Sequence, residues 1–172
     1  LSLSTAESCT GGMIAQRITS VSGASEVFGY GFVTYWAEAK TRLVGVQLEV
    51  IARYNVVSAP VAAQMALGAA QASGSDIAVS VTGLAGPGGG DAVRPVGTVY
   101  LGAARGGTVY VQKLFVSRPD RALVRARAAQ AALTLALRLA QGKVPAYTKP
   151  LAAAQQQDEA ALAALNEAFL AE

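Results

Sequence analysis

The sequence predicts a layered α/β fold: an α/β/α arrangement around a mixed β-sheet, with a C-terminal helix appended. Three observations predict it. Short β-branched runs alternate with segments apolar at helical spacing, which is the pattern of a sheet covered by helices. One glycine pair, Gly106-Gly107, separates two such runs and marks a hairpin, so the sheet cannot be purely parallel. The chain has 172 residues, 52% hydrophobic and 15% charged, which is enough apolar material for one buried core and too little charge for disorder.

Taken in order, Leu1 to Thr5 reads as a short strand; a chain that opens this close to a strand is expected to have more chain before it. Gly11 to Val21 places Met13, Ile14, Ile18 and Val21 at helical spacing. Val27 to Tyr35 alternates and is rich in aromatic and β-branched residues, so it is a strand. Ala37 to Val44 and Leu48 to Tyr54 are two short helices parted at Gly45. Ser58 is placed to cap a helix with Pro60 in its first turn, ending near Ser73. Asp76 to Thr82 is a strand, and Gly83 to Pro95 a loop rich in Gly and Pro. Val96 to Arg105 and Thr108 to Val116 form the hairpin. Pro119 and Asp120 open a long helix that runs to Gln141.

Residues 1–141 form one domain by this reading, and 142–172 a linker with a helix. Gly142 to Pro150 carries two prolines and reads as the linker; Leu151 to Ala171 reads as the helix. Leu151, Leu162, Leu165, Phe169 and Leu170 give that helix an apolar stripe, with either its own core or a partner subunit as the destination.

Composition narrows the chemistry. There is no His, so neither a Ser–His–Asp unit nor an imidazole-bound metal is possible. There is one Cys, Cys9, so no intrachain disulfide and no cysteine zinc site forms. A cytosolic location is expected. No apolar run of about 18 residues is present, and no membrane span is expected. The net charge of +3 suits an anionic small molecule, whereas 6% aromatics leave few stacking platforms and argue against a nucleic-acid partner.

Four segments can carry chemistry. Thr5-Ala6-Glu7-Ser8-Cys9-Thr10-Gly11-Gly12 joins a strand to a helix. Its hydroxyls either cap that helix or, with free amides, hold a phosphate or a developing oxyanion. Cys9 reads as a small buried group, with no base of the usual kind to activate it. Tyr35-Trp36-Ala37-Glu38-Ala39-Lys40 supplies a lysine. Without His, a serine nucleophile needs another base, and a desolvated Lys is the usual substitute; the alternative is an exposed helix charge beside Glu38 and Arg42. Thr82 to Gly90 follows a buried-looking strand and is either a connection or a loop whose amides approach a ligand. It lacks the Lys of a phosphate-binding P-loop and the spacing of a dinucleotide fingerprint. Arg118, Arg121, Arg125 and Arg127 surround the start of the long helix, either as a solvated face or as a phosphate clamp.

Together these segments resemble the CinA C-terminal-domain family, whose characterised activity is nicotinamide mononucleotide amidase. The resemblance covers about residues 1 to 141. It rests on TAESCTGG at Thr5 to Gly12, on Phe32-Val33-Thr34-Tyr35 followed by Ala39-Lys40, and on Ser58 with Pro60. Thr82 to Gly90 with Pro95-Val96-Gly97-Thr98-Val99, and Asp120-Arg121 with Arg125, complete it. Trp36 and Ala37 depart from the pattern, which usually has a small polar residue and then Asn there. The helix that normally precedes the first strand is also missing, as in a fragment of a two-domain protein or a stand-alone form lacking its start.

The resemblance implies hydrolysis of the carboxamide of nicotinamide mononucleotide to nicotinate mononucleotide and ammonia, with no cofactor and no metal. It implies Ser8 as nucleophile, Lys40 as general base and Tyr35 as a residue that helps position the dyad or the leaving group. Glu7, Cys9, Thr10, Gly11, Gly83, Ala85, Gly86 and Arg121 would contact the substrate, and Arg125 would meet the phosphate. It also implies a cytoplasmic homo-oligomer, and the family's association with competence and DNA damage leaves room for a repair-protein partner. The alternative function is a non-catalytic nucleotide-sensing or protein-interaction module using the same pocket.

Overall fold

The computed structural model describes residues 1–171. A six-stranded mixed sheet runs in the order β2-β1-β3-β4-β5-β6. Its strands are β1 (Leu3–Glu7), β2 (Phe28–Val33), β3 (Ile77–Gly83), β4 (Thr98–Arg105), β5 (Thr108–Phe115) and β6 (Lys149–Ala152). β1 is parallel to both β2 and β3; β3, β4, β5 and β6 pair antiparallel in succession. Gly106-Gly107 turns the β4–β5 hairpin, with Arg105 opposite Thr108.

The helices α1 (Met13–Thr19) and α5 (Arg121–Ala140) cover one face. On the other lie α2 (Ala37–Val44), α3 (Leu48–Tyr54), α4 (Ala59–Ser73) and α6 (Glu159–Leu170). The two apolar clusters follow this division. Val79, Val81, Leu101 and Val124 lie in the α5 layer, and Val61, Met65, Val109 and Phe169 in the α4 layer. The three-layer α/β fold is therefore as expected.

α4 is central and buried almost all round, which its Ala-rich sequence permits. Ser58 caps it, its hydroxyl accepting from Val61 N–H, and Pro60 occupies the first turn. Gly68 lets α2 come in close: a Cβ there would sit 1.7 Å from the Val44 carbonyl oxygen. Any side chain at this position would push away the helix that carries Lys40.

Beyond residue 140 the sequence reading is corrected. Lys149–Ala152, expected as linker end and helix start, instead extends the sheet along β5, with Leu151 opposite Val109. A 3₁₀ turn follows at Ala153–Gln155, and the C-terminal helix begins at Glu159, where Asp158 caps it. Of the two destinations open to its stripe, the helix takes its own core. Leu162, Leu165 and Phe169 are buried, Phe169 edge-on to Tyr100 at 5.9 Å, while Leu170 remains half-exposed. Among the described residues no helix is long and apolar enough to cross a membrane.

Candidate active site

Ser8 lies one residue past β1, where both neighbouring parallel strands hold the chain. Its N–H donates to the Val81 carbonyl of β3 at 3.0 Å, and the Thr34 N–H donates to the Glu7 carbonyl at 2.8 Å. The serine thus sits at the carboxyl end of parallel strands, where the chain leaves β1 between β2 and β3. In open α/β sheets that is where a crevice forms. A cleft of about 480 Å³ opens there.

Lys40, on the first turn of α2, reaches into the same place. It is 1% exposed, and its Nζ donates to Ser8 Oγ at 2.9 Å and to the Thr34 carbonyl at 2.7 Å. Among the described residues no carboxylate pairs with it. Burial disfavours the ammonium form and lowers its pKa from 10.5 to about 8. This lysine is a buried amine on a serine hydroxyl and not an exposed helix charge.

Glu7 is also buried, but it lies behind the cleft. Its carboxylate accepts from the N–H groups of Gly12 (3.1 Å), Ile14 (3.0 Å) and Ala15 (2.9 Å). The strand thus caps the helix that follows it with its own last side chain. Of the two readings open for this turn, capping therefore holds, and the Gly12, Ile14 and Ala15 amides are occupied by Glu7.

Arg125, expected to meet a substrate phosphate, is engaged with the serine turn. Its Nε donates to the Cys9 carbonyl and its Nη2 to the Thr10 carbonyl, each at 3.0 Å. Thr10 is fully buried, and Gly11 lies against the same guanidinium, in the left-handed region at φ 57°. Glu7, Thr10, Gly11 and Arg125 therefore form the backing of the serine turn. Cys9, Gly83, Ala85, Gly86, Tyr35 and Arg121 line the cleft with Ser8 and Lys40.

Arg121 spans the cleft mouth. It donates from Nη1 to the Gly86 carbonyl (2.8 Å) and from Nη2 to the Tyr35 hydroxyl (3.1 Å), joining the start of α5 to both the glycine loop and the β2–α2 corner. Asp120 caps α5 through the Leu123 N–H and so sets where Arg121 begins. Cys9 stays a thiol: burial pushes its pKa up to about 11. Among the described residues no cluster of His, Cys, Asp or Glu could hold a metal ion.

The sequence reading overlooked Val56, Val57 and Leu84 as apolar walls, and the Thr34 carbonyl as the second acceptor for Lys40. Val56 is held by Thr82, whose hydroxyl donates to its carbonyl at 2.7 Å. Nothing local marks these residues, because a backbone carbonyl and a valine acquire their place only through the β1–β2 and α4 packing. Trp36 stood out only as a departure from the family pattern; in the structure it is 74% exposed on the rim.

Comparison with known proteins identifies the family. The family model described as the CinA C-terminal domain matches residues 1–140. A CinA-like protein of Akkermansia muciniphila is 52% identical over 134 residues, covering 77% of this chain and 32% of that protein. One from Geobacter sp. is 55% identical over 125 residues, covering 73% and 30%. The chain therefore spans about a third of the length of these curated relatives. The crystal structure of the competence/damage inducible protein CihA of Agrobacterium tumefaciens superposes with a TM-score of 0.80 at 44% identity, over 82% of this chain and 86% of that one. A competence-damaged protein (CinA) superfamily structure from Escherichia coli gives 0.77 at 37% identity, over 81% and 80%. By its family-model match and by these relatives, the chain belongs to the CinA C-terminal domain family.

Proposed function

We propose that the chain is a serine–lysine amidase that hydrolyses the carboxamide of nicotinamide mononucleotide. The observation that carries this reading is the 2.9 Å contact between Ser8 Oγ and a buried, carboxylate-free Lys40 Nζ at the cleft. A hydroxyl at its ordinary pKa is a poor nucleophile and needs an adjacent base. With a pKa of about 8, roughly a tenth of Lys40 is neutral at pH 7, against about one part in 3,000 at the ordinary value.

In the neutral amine one N–H keeps the Thr34 carbonyl while the lone pair takes the Ser8 proton. Ser8 Oγ then bonds to the carboxamide carbon, and the carbonyl oxygen becomes an oxyanion. As the oxyanion collapses the C–N bond breaks, and the Lys40 ammonium returns the proton to the departing ammonia. Water then attacks the acyl-enzyme ester, with Lys40 accepting its proton and passing it back to Ser8. Nicotinate mononucleotide and ammonia leave, and the site is restored.

Arg121 gives this cleft its complement for an anion. Among the described residues its guanidinium meets only neutral oxygens, and a phosphate offers two charged ones in a geometry that suits a guanidinium fork. Tyr35, bonded to Arg121, would move with it. Val56, Val57 and Leu84 offer an apolar wall to a flat ring.

The test is to incubate the chain with nicotinamide mononucleotide and measure ammonia. Release that vanishes in Ser8→Ala and Lys40→Ala is expected. Saturable binding without ammonia would overturn the amidase reading in favour of a nucleotide sensor.

A further inference from the structure

Arg125 is the residue that the proposed chemistry leaves without a task at the substrate, yet it grips the serine turn at two successive carbonyls. Those bonds connect to the cleft through the backbone. The Thr10 carbonyl, held by Arg125 Nη2 at 3.0 Å, shares a peptide group with the Gly11 N–H. That N–H donates to the Ser8 carbonyl at 3.0 Å. The Ser8 carbonyl in turn shares a peptide group with the Cys9 N–H. In a trans peptide the carbonyl and the following N–H point in opposite directions. Two planar units therefore run from the guanidinium to an amide directed away from the Ser8 carbonyl, on a residue that lines the cleft.

That amide is available. Among the described residues no backbone or side-chain oxygen accepts from the Cys9 N–H; only the residue's own thiol lies near it. The Thr10 N–H likewise has no acceptor among the described residues, but it lies on a fully buried residue that does not line the cleft. The amides after it are taken. Gly11 bonds to Ser8, Met13 to Thr10, and Gly12, Ile14 and Ala15 to Glu7. A hydrogen bond accepted by a carbonyl strengthens the donor at the other end of the same peptide, and such strengthening accumulates along a chain of bonds. A fixed positive charge at the far end adds to it. The second bond, Arg125 Nε to the Cys9 carbonyl, fixes the other side of the same residue.

We propose that Arg125 is a positioning residue that orients and polarises the Cys9 N–H, through the Thr10–Gly11 and Ser8–Cys9 peptides, as the oxyanion donor for reaction at Ser8. This rests on Ser8 being the nucleophile, but it does not depend on which carboxamide is cleaved. It assigns Arg125 a role independent of the substrate phosphate, so its removal should weaken catalysis for phosphorylated and unphosphorylated substrates alike.

The experiment uses an uncharged alkyl fluorophosphonate as probe on the wild-type chain and on Arg125→Ala and Arg125→Lys. Ser8 Oγ bonds to phosphorus, fluoride leaves and the serine proton passes to Lys40, so the rate of Ser8 labelling by mass spectrometry reads the oxyanion donor without any nucleotide. Losing a whole oxyanion donor costs about 10²–10³ in rate. A donor left in place but loosened should lose about 10–100-fold in Arg125→Ala, regain part of that in Arg125→Lys, and recover when guanidinium is added. Nicotinamide mononucleotide and nicotinamide riboside should then lose the same factor in kcat, with KM held.

Labelling of Arg125→Ala at the wild-type rate overturns the proposal. So does a loss confined to KM for the phosphorylated substrate, or a labelling defect that neither Lys nor guanidinium relieves. Should the Ala variant fail to fold, Arg125→Lys decides, and a wild-type rate with one donor in place of two is again contrary. A wild-type chain labelled at Ser8 that releases no ammonia from nicotinamide mononucleotide removes the proposed substrate and leaves this inference standing. A wild-type chain that is not labelled at all removes both.

Discussion

Lys40 holds its amine where charge is disfavoured, and that has consequences for rate and for stability that differ in sign and pH range. If the neutral amine is the base, kcat should climb about tenfold per pH unit below pH 8 and level off above it. A plateau already reached at pH 6 would remove Lys40 from that role. For stability the direction follows from proton counting. The folded pKa of about 8 lies below the ordinary 10.5 of the unfolded chain, so between these values the unfolded state binds more protons. The cost of burying the ammonium is present in full below pH 8 and is relieved as pH rises to 10.5. Lys40→Met, which titrates nowhere, should therefore gain most relative to wild type at pH 7 and lose that advantage by pH 10.5. Thermal unfolding at the two pH values measures it, and a constant difference would mean that Lys40 is solvated. Ser8→Ala and Lys40→Ala should each lower kcat by several orders of magnitude, with nearly equal losses because the two act as a unit.

At the scale of elements, the strand–turn–helix unit from β1 to α1 is held from both ends. Glu7 accepts three amides at the start of α1, and Arg125 of α5 grips the turn between them. Glu7→Ala would leave three N–H groups without their acceptor. Each unsatisfied buried donor costs about 1–3 kcal/mol; Gly12 and Ala15 are partly exposed and water can serve them, while Ile14 is buried, so the loss expected in a denaturant titration is about 1–3 kcal/mol. Activity should fall further than stability, because the same turn presents Ser8. Glu7→Ala with unchanged stability would mean that water replaces the carboxylate. This unit also marks what a sequence discloses. Ser8 and Lys40 were candidates by residue type, with a helix cap and an exposed helix charge as the alternatives, and the family resemblance supplied their roles. The roles of Glu7 and Arg125 were not legible, because a carboxylate turning back on amides 5–8 residues ahead and a guanidinium 115 residues away are set by tertiary packing. Capping was foreseen from the hydroxyls of the turn, and a carboxylate performs it instead.

At the scale of the whole molecule, the regular layers were legible because their periodicity is strong. The hairpin at Gly106-Gly107, the Ser58 and Asp120 caps and the buried run of β3 each specify structure within a few residues. The C-terminal part was less so. Lys149–Ala152 is a four-residue edge strand containing Pro150, and only β5, lying far back in the sequence, makes it a strand. Its placement decides how the last 31 residues, Gly142 to Glu172, should behave when removed. β6 covers the outer edge of β5, and α6 places Leu162, Leu165 and Phe169 against α4 and Tyr100. Gln64 of α4 donates to the Gln156 carbonyl, Arg53 pairs with Glu159, and Lys113 donates to the Phe169 carbonyl. Burying three such side chains is worth about 1.5–3 kcal/mol each, an upper figure because unfolded chains already cover some apolar surface. The sum is comparable to the roughly 5–15 kcal/mol by which a whole domain is stable. Truncation after residue 141 should then abolish a single cooperative thermal transition and, by baring both the β5 edge and an apolar face, drive self-association visible by light scattering. Phe169→Ala gives a graded version, with a loss of about 3–5 kcal/mol. A truncated chain that keeps the full chain's size in solution and melts as before would show that the sheet closes without β6 and that the helix is carried as an appendage.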